Sequence, residues 1–187
     1  MRNTLLFIRH AETEMVGRFC GHSDPPVNEL GHRQIEVLLD VLRDESIDAI
    51  YSSDLERALT TAEAIAESFQ LSTVAVPGLR EIYFGDWEGL SWRQIESRDV
   101  AYARKWSEAY PQLAAPRGES FEAFQARVMA EVEYLLTALD QRCFAVVTHA
   151  GVMRVVLREL CGLDEKETWE RTRSYCSFFR YTNGADS

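Results

Sequence analysis

Residues 5–10, Leu-Leu-Phe-Ile-Arg-His, form a short apolar run that ends in a histidine, and residues 144–149, Phe-Ala-Val-Val-Thr-His, repeat this pattern near the other end of the chain. Apolar runs of this length are typical of strands buried inside a parallel β-sheet. Open α/β sheets bind their ligands at the carboxyl ends of such strands. The two runs therefore predict that His10 and His149 lie at one ligand-binding edge.

The composition is that of one globular domain. The chain has 187 residues, of which 46% are hydrophobic, and no Pro-, Gly- or Ser-rich linker divides it. This length is enough for one well-buried core. We therefore expect a single domain over residues 1–187.

Charge and cysteine usage exclude several classes of partner. A net charge of -10 repels polyanions, so we expect neither a nucleic-acid partner nor a membrane partner. The four cysteines show no C-x-x-C pair, and Arg9 interrupts the apolar stretch that a secretory leader would need. A cytoplasmic location with free thiols is the expectation, and the sequence leaves a homodimer open.

Strand and helix patterns alternate along the chain. This alternation predicts an α/β fold, a three-layer α/β/α sandwich with a mainly parallel central sheet. The pattern is less regular between Arg80 and Trp106, and residues 85–118 are expected to form a small inserted cap over the carboxyl ends of the strands. The predicted elements after the first strand are a helix at 28–44 capped by Asn28, a strand at 47–51, a helix capped by Asp54, a strand at 72–76, a long helix capped by Ser120 with Leu139 on its buried side, a helix from about Val152 to Cys161, and an edge strand at 177–182.

Arginines accompany both histidines at the predicted edge. Arg9 adjoins His10, Arg57 lies in the first turn of a predicted helix, and Arg154 follows His149 by one helical turn. Helix N-termini and guanidinium groups both favour an anion. The arrangement predicts a phosphate site in which an imidazole nitrogen attacks phosphorus and forms a phosphohistidine.

Less specific interpretations compete with this one. A single histidine at a strand end is more often a structural residue than a catalyst, and Arg154 could serve only its own helix surface. His22 and His32 are expected to be solvated. The four tryptophans are expected to pack in the core, although Trp87, Trp92 or Trp106 could stack on an aromatic base of a ligand.

A metal site would be the alternative chemistry for two histidines and several carboxylates. The sequence contains no H-E-x-x-H or comparable ligand pair, and the arginines would repel a cation. We therefore expect neither a metal nor another cofactor.

Three ordered motifs resemble the signature of a known family. Residues 9–13, R-H-A-E-T, resemble the R-H-G-E-T motif of the histidine phosphatase superfamily, the phosphoglycerate mutase-like proteins. Residues 52–58 and 148–151 resemble its second and third motifs. Residues 79–89 and 118–121 are similar to the α-ribazole phosphatase branch. The resemblance implies the superfamily fold and a phosphatase activity.

The resemblance also implies roles for individual residues. His10 would be the nucleophile, and Glu81 would be the proton donor to the leaving group and then the base for water. Asp86 and Glu88 are rival donors in the same segment. The other implied roles are Arg9, Arg57 and Ser23 as phosphate-binding residues, and His149 as a phosphate-binding residue that stabilises the transition state.

Two positions depart from the family pattern. Ala11 stands where the family usually has glycine, and alanine fits there unless φ is positive. Val16 stands where many members have an asparagine that contacts phosphate, so that polar contact is lost.

Taken with the motifs, these residues predict a metal-independent phosphomonoester hydrolase for a small phosphorylated metabolite. The branch resemblance implies α-ribazole 5′-phosphate, an intermediate of cobalamin synthesis, as the substrate. The alternatives are a broad-specificity phosphatase, a phosphoglycerate mutase-like enzyme, and a catalytically silent module that binds a phosphorylated ligand.

Overall fold

The computed structural model describes residues 3–137 and 142–183. Short 3₁₀ turns lie at Pro77–Leu79 and Gly85–Trp87. The helices and strands are β1 (Thr4–Arg9), α1 (Glu29–Leu42), β2 (Ala49–Ser52), α2 (Glu56–Phe69), β3 (Thr73–Ala75), α3 (Trp92–Arg98), α4 (Val100–Ala109), α5 (Phe121–Thr137), β4 (Cys143–Thr148), α6 (Ala150–Cys161), α7 (Glu165–Thr172) and β5 (Phe178–Thr182).

The strands form one five-stranded sheet in the order β3-β2-β4-β1-β5. The pairs β2–β3, β2–β4 and β1–β4 are parallel, and β5 joins the edge of β1 in the antiparallel direction. The predicted mainly parallel sheet with an edge strand near residue 180 is confirmed.

Helices cover both faces of the sheet. Leu5 and Phe7 of β1 point to one face and pack with the apolar sides of α5 and α6. Leu6 and Ile8 point to the other face and pack with α1 and α2. The alternation follows from the two-residue period of a strand, and it confirms the three-layer α/β/α arrangement.

The register of the two central strands places the histidines. Arg9 at the end of β1 pairs with Thr148 at the end of β4, and the His10 amide donates to the Thr148 carbonyl at 2.9 Å. His10 and His149 therefore leave neighbouring strands side by side at the same sheet edge.

Two of the three predicted helix caps are confirmed. Asn28 accepts a hydrogen bond from the Gly31 amide at 2.8 Å, and Ser120 accepts one from the Ala123 amide at 3.2 Å. Leu139, predicted on the buried side of α5, lies outside the described residues.

The predicted cap of α2 is wrong. Asp54 instead receives both arms of the Arg80 guanidinium, Nε at 2.6 Å and Nη2 at 2.5 Å. A bidentate charged pair is stronger than one bond to a neutral amide, which explains why the Asp54 carboxylate binds Arg80 rather than the helix N-terminus. The first amide of α2, on Glu56, donates at 2.9 Å to Asp24 from the loop after β1.

Some boundaries differ from the predicted ones. Helix α6 begins at Ala150, two residues earlier than expected, with His149 as its N-cap residue, and β2 spans Ala49–Ser52 rather than residues 47–51.

The segment at 85–118 has an apolar cluster of its own. Trp87, Ile95, Ala103 and Ala115 form its buried centre. Trp92 of this segment lines the cleft at the carboxyl ends of the strands, the edge over which the sequence predicts a cap. Within residues 3–137 and 142–183, no helix is long and apolar enough to cross a membrane.

Candidate active site

His10 is held in one tautomer. Its Nδ1 lies 2.7 Å from the Ala11 carbonyl oxygen, which can only accept, so Nδ1 carries the proton. The other nitrogen, Nε2, accepts a bond from Arg57 Nε at 3.3 Å. Burial, together with the charges of Arg57 and Arg9, lowers the pKa of His10 well below 6.5. The ring is therefore neutral at physiological pH and presents a lone pair on Nε2.

A buried threonine fixes the backbone beside this ring. The Ala11 amide donates to Thr61 Oγ1 at 3.0 Å, and the Thr61 hydroxyl donates to the Arg57 carbonyl at 2.9 Å. Ala11 does not have a positive φ, so alanine is tolerated in the usual glycine position. The sequence analysis predicts no role for Thr61. Its position one helical turn after Arg57 is the feature that could have indicated a place in the site.

His149 lies next to His10. The ring centroids are 5.0 Å apart, and His149 Nε2 shares a 2.8 Å hydrogen bond with the Ser53 hydroxyl. His149 Nδ1 is buried and has no partner among the described residues. Burial and the charge of Arg57 lower the pKa of His149 well below 6.5. A ligand oxygen that reached Nδ1 would complete the bonding of this ring.

Arg9 is held by the segment between α7 and β5 and by the end of α7. Its Nη1 donates to the carbonyls of Thr172 at 3.0 Å and Arg173 at 2.6 Å, and its guanidinium lies 4.0 Å above the Tyr175 ring. Burial lowers the pKa of Arg9, and its Nε has no partner in the described part of the chain.

Tyr175 is a site residue that the sequence reasoning missed. Its ring lies 5.6 Å from the His10 ring and lines the cleft. The segment that carries it, between α7 and β5, matches no motif.

Arg57 is buried, with 1% of its side chain exposed, and its terminal nitrogens face the loop after β1. They donate to the carbonyls of Ser23 at 2.7 Å, Gly21 at 2.8 Å and Cys20 at 3.3 Å. Only Nε points to His10. Arg57 thus ties the loop at residues 20–23 to His10, a structural task that the sequence did not indicate.

Glu81 lines the same cleft, and each of its carboxylate oxygens is held by a backbone amide. Oε1 accepts from Ile82 at 3.0 Å and Oε2 accepts from Gly151 at 2.9 Å. A Cβ at position 151 would lie 2.0 Å from Glu81 Oε1. Glycine in the third motif therefore makes room for this carboxylate.

The two rival donors have other partners. Asp86 forms an ion pair with Arg117 at the surface. Glu88 accepts from the amides of Gly21, His22, Ser23 and Phe84 at 2.9–3.2 Å. Burial opposes ionisation of Glu88, but the Ser23 hydroxyl bond and the amide bonds outweigh it and lower the pKa of this carboxyl group. Glu88 therefore supports the neighbouring loop.

Ser23 contacts Arg57 through its backbone, but it does not line the cleft and its hydroxyl is bonded elsewhere. Its hydroxyl donates to Glu88 at 2.6 Å, and its carbonyl receives Arg57. The structure thus gives Ser23 a role in holding the loop.

Other predicted residues lie around the site. Val16 is 52% exposed, while Arg18, two residues on, lines the cleft. His32 is exposed as expected, but His22 is half-buried because its Nε2 bonds the Glu81 carbonyl at 3.1 Å. Arg154 packs over Trp169 at 4.3 Å and does not line the cleft.

The cleft as a whole has a volume of about 300 Å³. Its walls carry more cationic than acidic groups, which suits an anion. No group of three or more His, Cys, Asp or Glu in the described ranges could hold a metal ion. The cleft-lining residues that carry polar chemistry are Arg9, His10, Thr13, Arg18, Cys20, Glu81 and Tyr175.

Comparisons with known proteins agree with this geometry. The model of the histidine phosphatase superfamily (branch 1) matches residues 5–186. The adenosylcobalamin/alpha-ribazole phosphatase of Salmonella typhimurium is 31% identical over 88% of this chain and 83% of that protein. Phosphoserine phosphatase 1 of Hydrogenobacter thermophilus is 32% identical over 88% of this chain and 79% of that protein. The crystal structure of the alpha-ribazole phosphatase from Shigella flexneri has a TM-score of 0.85 at 30% identity, over 96% of this chain and 89% of that one.

Proposed function

The chain belongs to the histidine phosphatase superfamily (branch 1), and from this premise we propose that it hydrolyses phosphate monoesters through a phosphohistidine on His10, without a metal ion. The observation that carries the proposal is the state of His10. The ring is neutral, its proton is committed to the Ala11 carbonyl, and its Nε2 lone pair faces the buried Arg57 guanidinium. That is the form in which an imidazole attacks phosphorus.

In the first step, Nε2 of His10 forms a bond to phosphorus as the bond from phosphorus to the ester oxygen breaks. The electron pair of that bond goes to the ester oxygen, and Glu81 in its acid form donates a proton to it, so the alcohol leaves neutral. The bond from Nδ1 to the Ala11 carbonyl stabilises the positive charge that develops on the ring.

In the second step, water attacks the phosphorus of the phosphohistidine. The Glu81 carboxylate takes a proton from the water, the bond from nitrogen to phosphorus breaks, and its electron pair returns to Nε2. Inorganic phosphate leaves, and both residues regain their starting forms.

The charge on the phosphoryl oxygens needs donors in both steps. Arg9 Nε and His149 Nδ1 are buried groups without partners among the described residues, and Arg57 Nε lies beside His10. Donors already placed where charge develops lower the barrier without reorganisation. Arg9 and Arg57 supply the positive charge that a metal ion provides in other phosphatases, while neutral His149 supplies a hydrogen bond.

For the substrate we propose α-ribazole 5′-phosphate. The support is the likeness to the Salmonella typhimurium and Shigella flexneri proteins over most of both chains. The likeness to phosphoserine phosphatase 1 at 32% identity supports a broader set of small phosphate monoesters as the second candidate.

The test is to trap the phosphoenzyme. Brief mixing with radiolabelled substrate, followed by alkaline quenching, should give an acid-labile, base-stable label on the wild-type protein, and His10→Ala should lose both the label and turnover. Activity should survive dialysis against EDTA. Turnover by His10→Ala at the wild-type rate would overturn the mechanism, and loss of activity in EDTA that one divalent ion restores would overturn its metal independence.

The substrate is tested separately. kcat/KM is compared for α-ribazole 5′-phosphate, phosphoserine, phosphoglycerates, sugar phosphates and nucleoside 5′-phosphates. A clear preference for the first supports our assignment. Similar values across the set would support the broad-specificity alternative.

A further inference from the structure

A second cavity of about 410 Å³ adjoins the catalytic cleft. Phe19 and Phe84 line both spaces, so the two cavities are direct neighbours. We call the second cavity the aromatic pocket. Its remaining walls are Trp106, Ser107, Tyr110, Arg154, Glu165 and Trp169.

One wall of the aromatic pocket is rigid. The Trp106 ring packs on Phe19 at 5.8 Å, on Trp87 at 5.1 Å and on Tyr110 at 5.0 Å between centroids. Trp106 and Phe19 belong to the apolar cluster of the segment at 85–118. This cluster holds the indole in place before a ligand arrives, so binding there costs little side-chain entropy.

A second part of the lining is also held in place. The Trp169 ring is 52% exposed and lies under the Arg154 guanidinium at 4.3 Å. Arg154 Nε in turn donates to the Thr172 hydroxyl at 3.0 Å. Trp169 and Tyr110, which is 41% exposed, are large aromatic rings left accessible on the surface of the chain.

The charges around the aromatic pocket do not favour a second anion. Arg154 is accompanied by Glu165, which pairs with Arg158 at 3.0 Å. Since both signs of charge are present, no excess of positive charge selects a phosphate there. The remaining attraction comes from ring faces, which favour a flat, apolar ring.

We propose that the aromatic pocket binds a flat aromatic ring at the alcohol end of the substrate, while the phosphate lies beside His10. This inference rests on the proposed function, and it names the class of substrate as a phosphate monoester whose leaving alcohol carries an aromatic heterocycle. It also assigns Tyr110 and Trp169 as residues that determine specificity, although no motif includes either of them.

The test compares two alkyl esters that differ by a ring. 2-Phenylethyl phosphate and ethyl phosphate have similar leaving groups, so the ratio of their kcat/KM values reports binding of the ring. In the wild type this ratio should exceed unity, and in Tyr110→Ala/Trp169→Ala it should fall by about tenfold, mainly through KM. 2-Cyclohexylethyl phosphate tests whether the ring must be flat. Its kcat/KM should exceed that of ethyl phosphate by less than that of the phenyl ester does.

Tyr134→Ala is the matched control, because Tyr134 is 62% exposed on α5 and lines none of these cavities. It should leave the ratio unchanged. Both pocket side chains are accessible at the surface, and a circular dichroism melt of the double variant checks that it folds. A ratio near unity in the wild type, or an equal ratio in the double variant, would overturn the proposal.

A binding measurement separates this proposal from the function it rests on. In the His10→Ala protein, which should not turn over substrate, calorimetry measures the affinity for α-ribazole, the dephosphorylated alcohol. The added Tyr110→Ala and Trp169→Ala changes should weaken it by about tenfold. Binding of the alcohol without hydrolysis of its phosphate by the wild type would overturn the proposed function but support the pocket. If the wild type hydrolyses α-ribazole 5′-phosphate but the pocket substitutions do not weaken binding of α-ribazole, the proposed function is supported and the pocket proposal is overturned.

Discussion

At the scale of single residues, one backbone carbonyl selects the nitrogen of His10 that attacks phosphorus in the proposed mechanism. Nδ1 is bonded to Ala11, so Nε2 is the only nitrogen with a free electron pair. The Arg57 bond to Nε2 then competes with a substrate phosphorus for this pair. We infer that Arg57 Nε turns to a phosphoryl oxygen as the ester binds, which frees the nucleophile.

Glu81→Gln tests the proton donor. The amide keeps the size of the side chain but cannot deliver a proton, so hydrolysis of an alkyl phosphate should drop by about 10² or more. The first half-reaction of 4-nitrophenyl phosphate should be nearly spared, because its leaving group departs without protonation. The measurement is the ratio of burst rates for the two esters in rapid-quench experiments. Equal losses on both esters would mean that Glu81 only shapes the cleft.

Gly151→Ala gives a second approach to the same carboxylate. The added methyl would lie 2.0 Å from Glu81 Oε1 and must displace it, so alkyl esters should again suffer more than aryl esters. In a Glu81→Gln background, Gly151→Ala should cause little further loss of activity, since the two changes disturb one interaction. Fully additive losses would separate the roles of the two residues.

The sequence reasoning identified residues that lie within contiguous motifs. Strand ends and helix starts bring Arg9, His10, Arg57 and His149 to one sheet edge, as expected from their motifs. Their roles in phosphate binding and catalysis stay predictions. Tyr175 could not be found in this way. Its place near His10 depends on how the chain returns from α7 to β5, which no local pattern reveals.

At the scale of elements, α5 supports the segment that carries Glu81. Arg127 on α5 donates to the carbonyls of Gly78, Arg80 and Glu81 at 2.7–3.0 Å. Its Nε and Nη2 also bond Glu119 at 2.8 and 2.9 Å. One guanidinium therefore fixes the backbone on which the proposed proton donor sits.

Arg127→Lys should weaken this support while keeping the charge. A lysine cannot reach three carbonyls and a carboxylate at once, so Glu81 should be placed less accurately. We expect kcat for alkyl phosphates to fall by about tenfold, with a smaller change for 4-nitrophenyl phosphate. Arg104→Lys, in an exposed pair with Glu108, is the control and should behave like the wild type. Equal losses on the two esters would show that Arg127 acts on stability alone.

Element boundaries show where sequence patterns stop being informative. Asp54 has the residue type and position of a helix cap, yet Arg80, 26 positions later, attracts its carboxylate, and Asp24 takes over the amide of Glu56. A local rule gives the existence of α2 correctly. It cannot anticipate a competing partner from a distant segment.

At the scale of the whole molecule, the buried histidines make folding sensitive to acid. The pKa values of His10 and His149 are lowered well below 6.5 in the folded protein, because burial and neighbouring arginines oppose the charged form. The unfolded chain therefore binds more protons below pH 6.5 than the folded one. Above the pKa of the unfolded histidines, both states hold the rings neutral and the free energy of unfolding does not depend on their titration. As the pH falls below that value, the free energy of unfolding decreases.

Urea denaturation between about pH 7.5 and about pH 5.5 measures this effect. The free energy of unfolding should fall by up to about 1.4 kcal/mol per pH unit for each histidine below the unfolded pKa. His10→Gln and His149→Gln should each flatten this dependence, whatever they do to stability at neutral pH. Wild-type and variant curves that run parallel would contradict the expectation.

The order of the strands has a consequence for synthesis on the ribosome. Both sheet neighbours of β1, the strands β4 and β5, come from the last third of the chain. While the chain grows, the apolar side chains of Leu5, Leu6, Phe7 and Ile8 have no sheet partner until residues beyond 142 emerge from the exit tunnel. An unpaired apolar strand invites aggregation, so the nascent chain is a candidate client for ribosome-associated chaperones. A chain released early, before β4 is made, would carry His10 without the strand that places His149 beside it, and would have no activity.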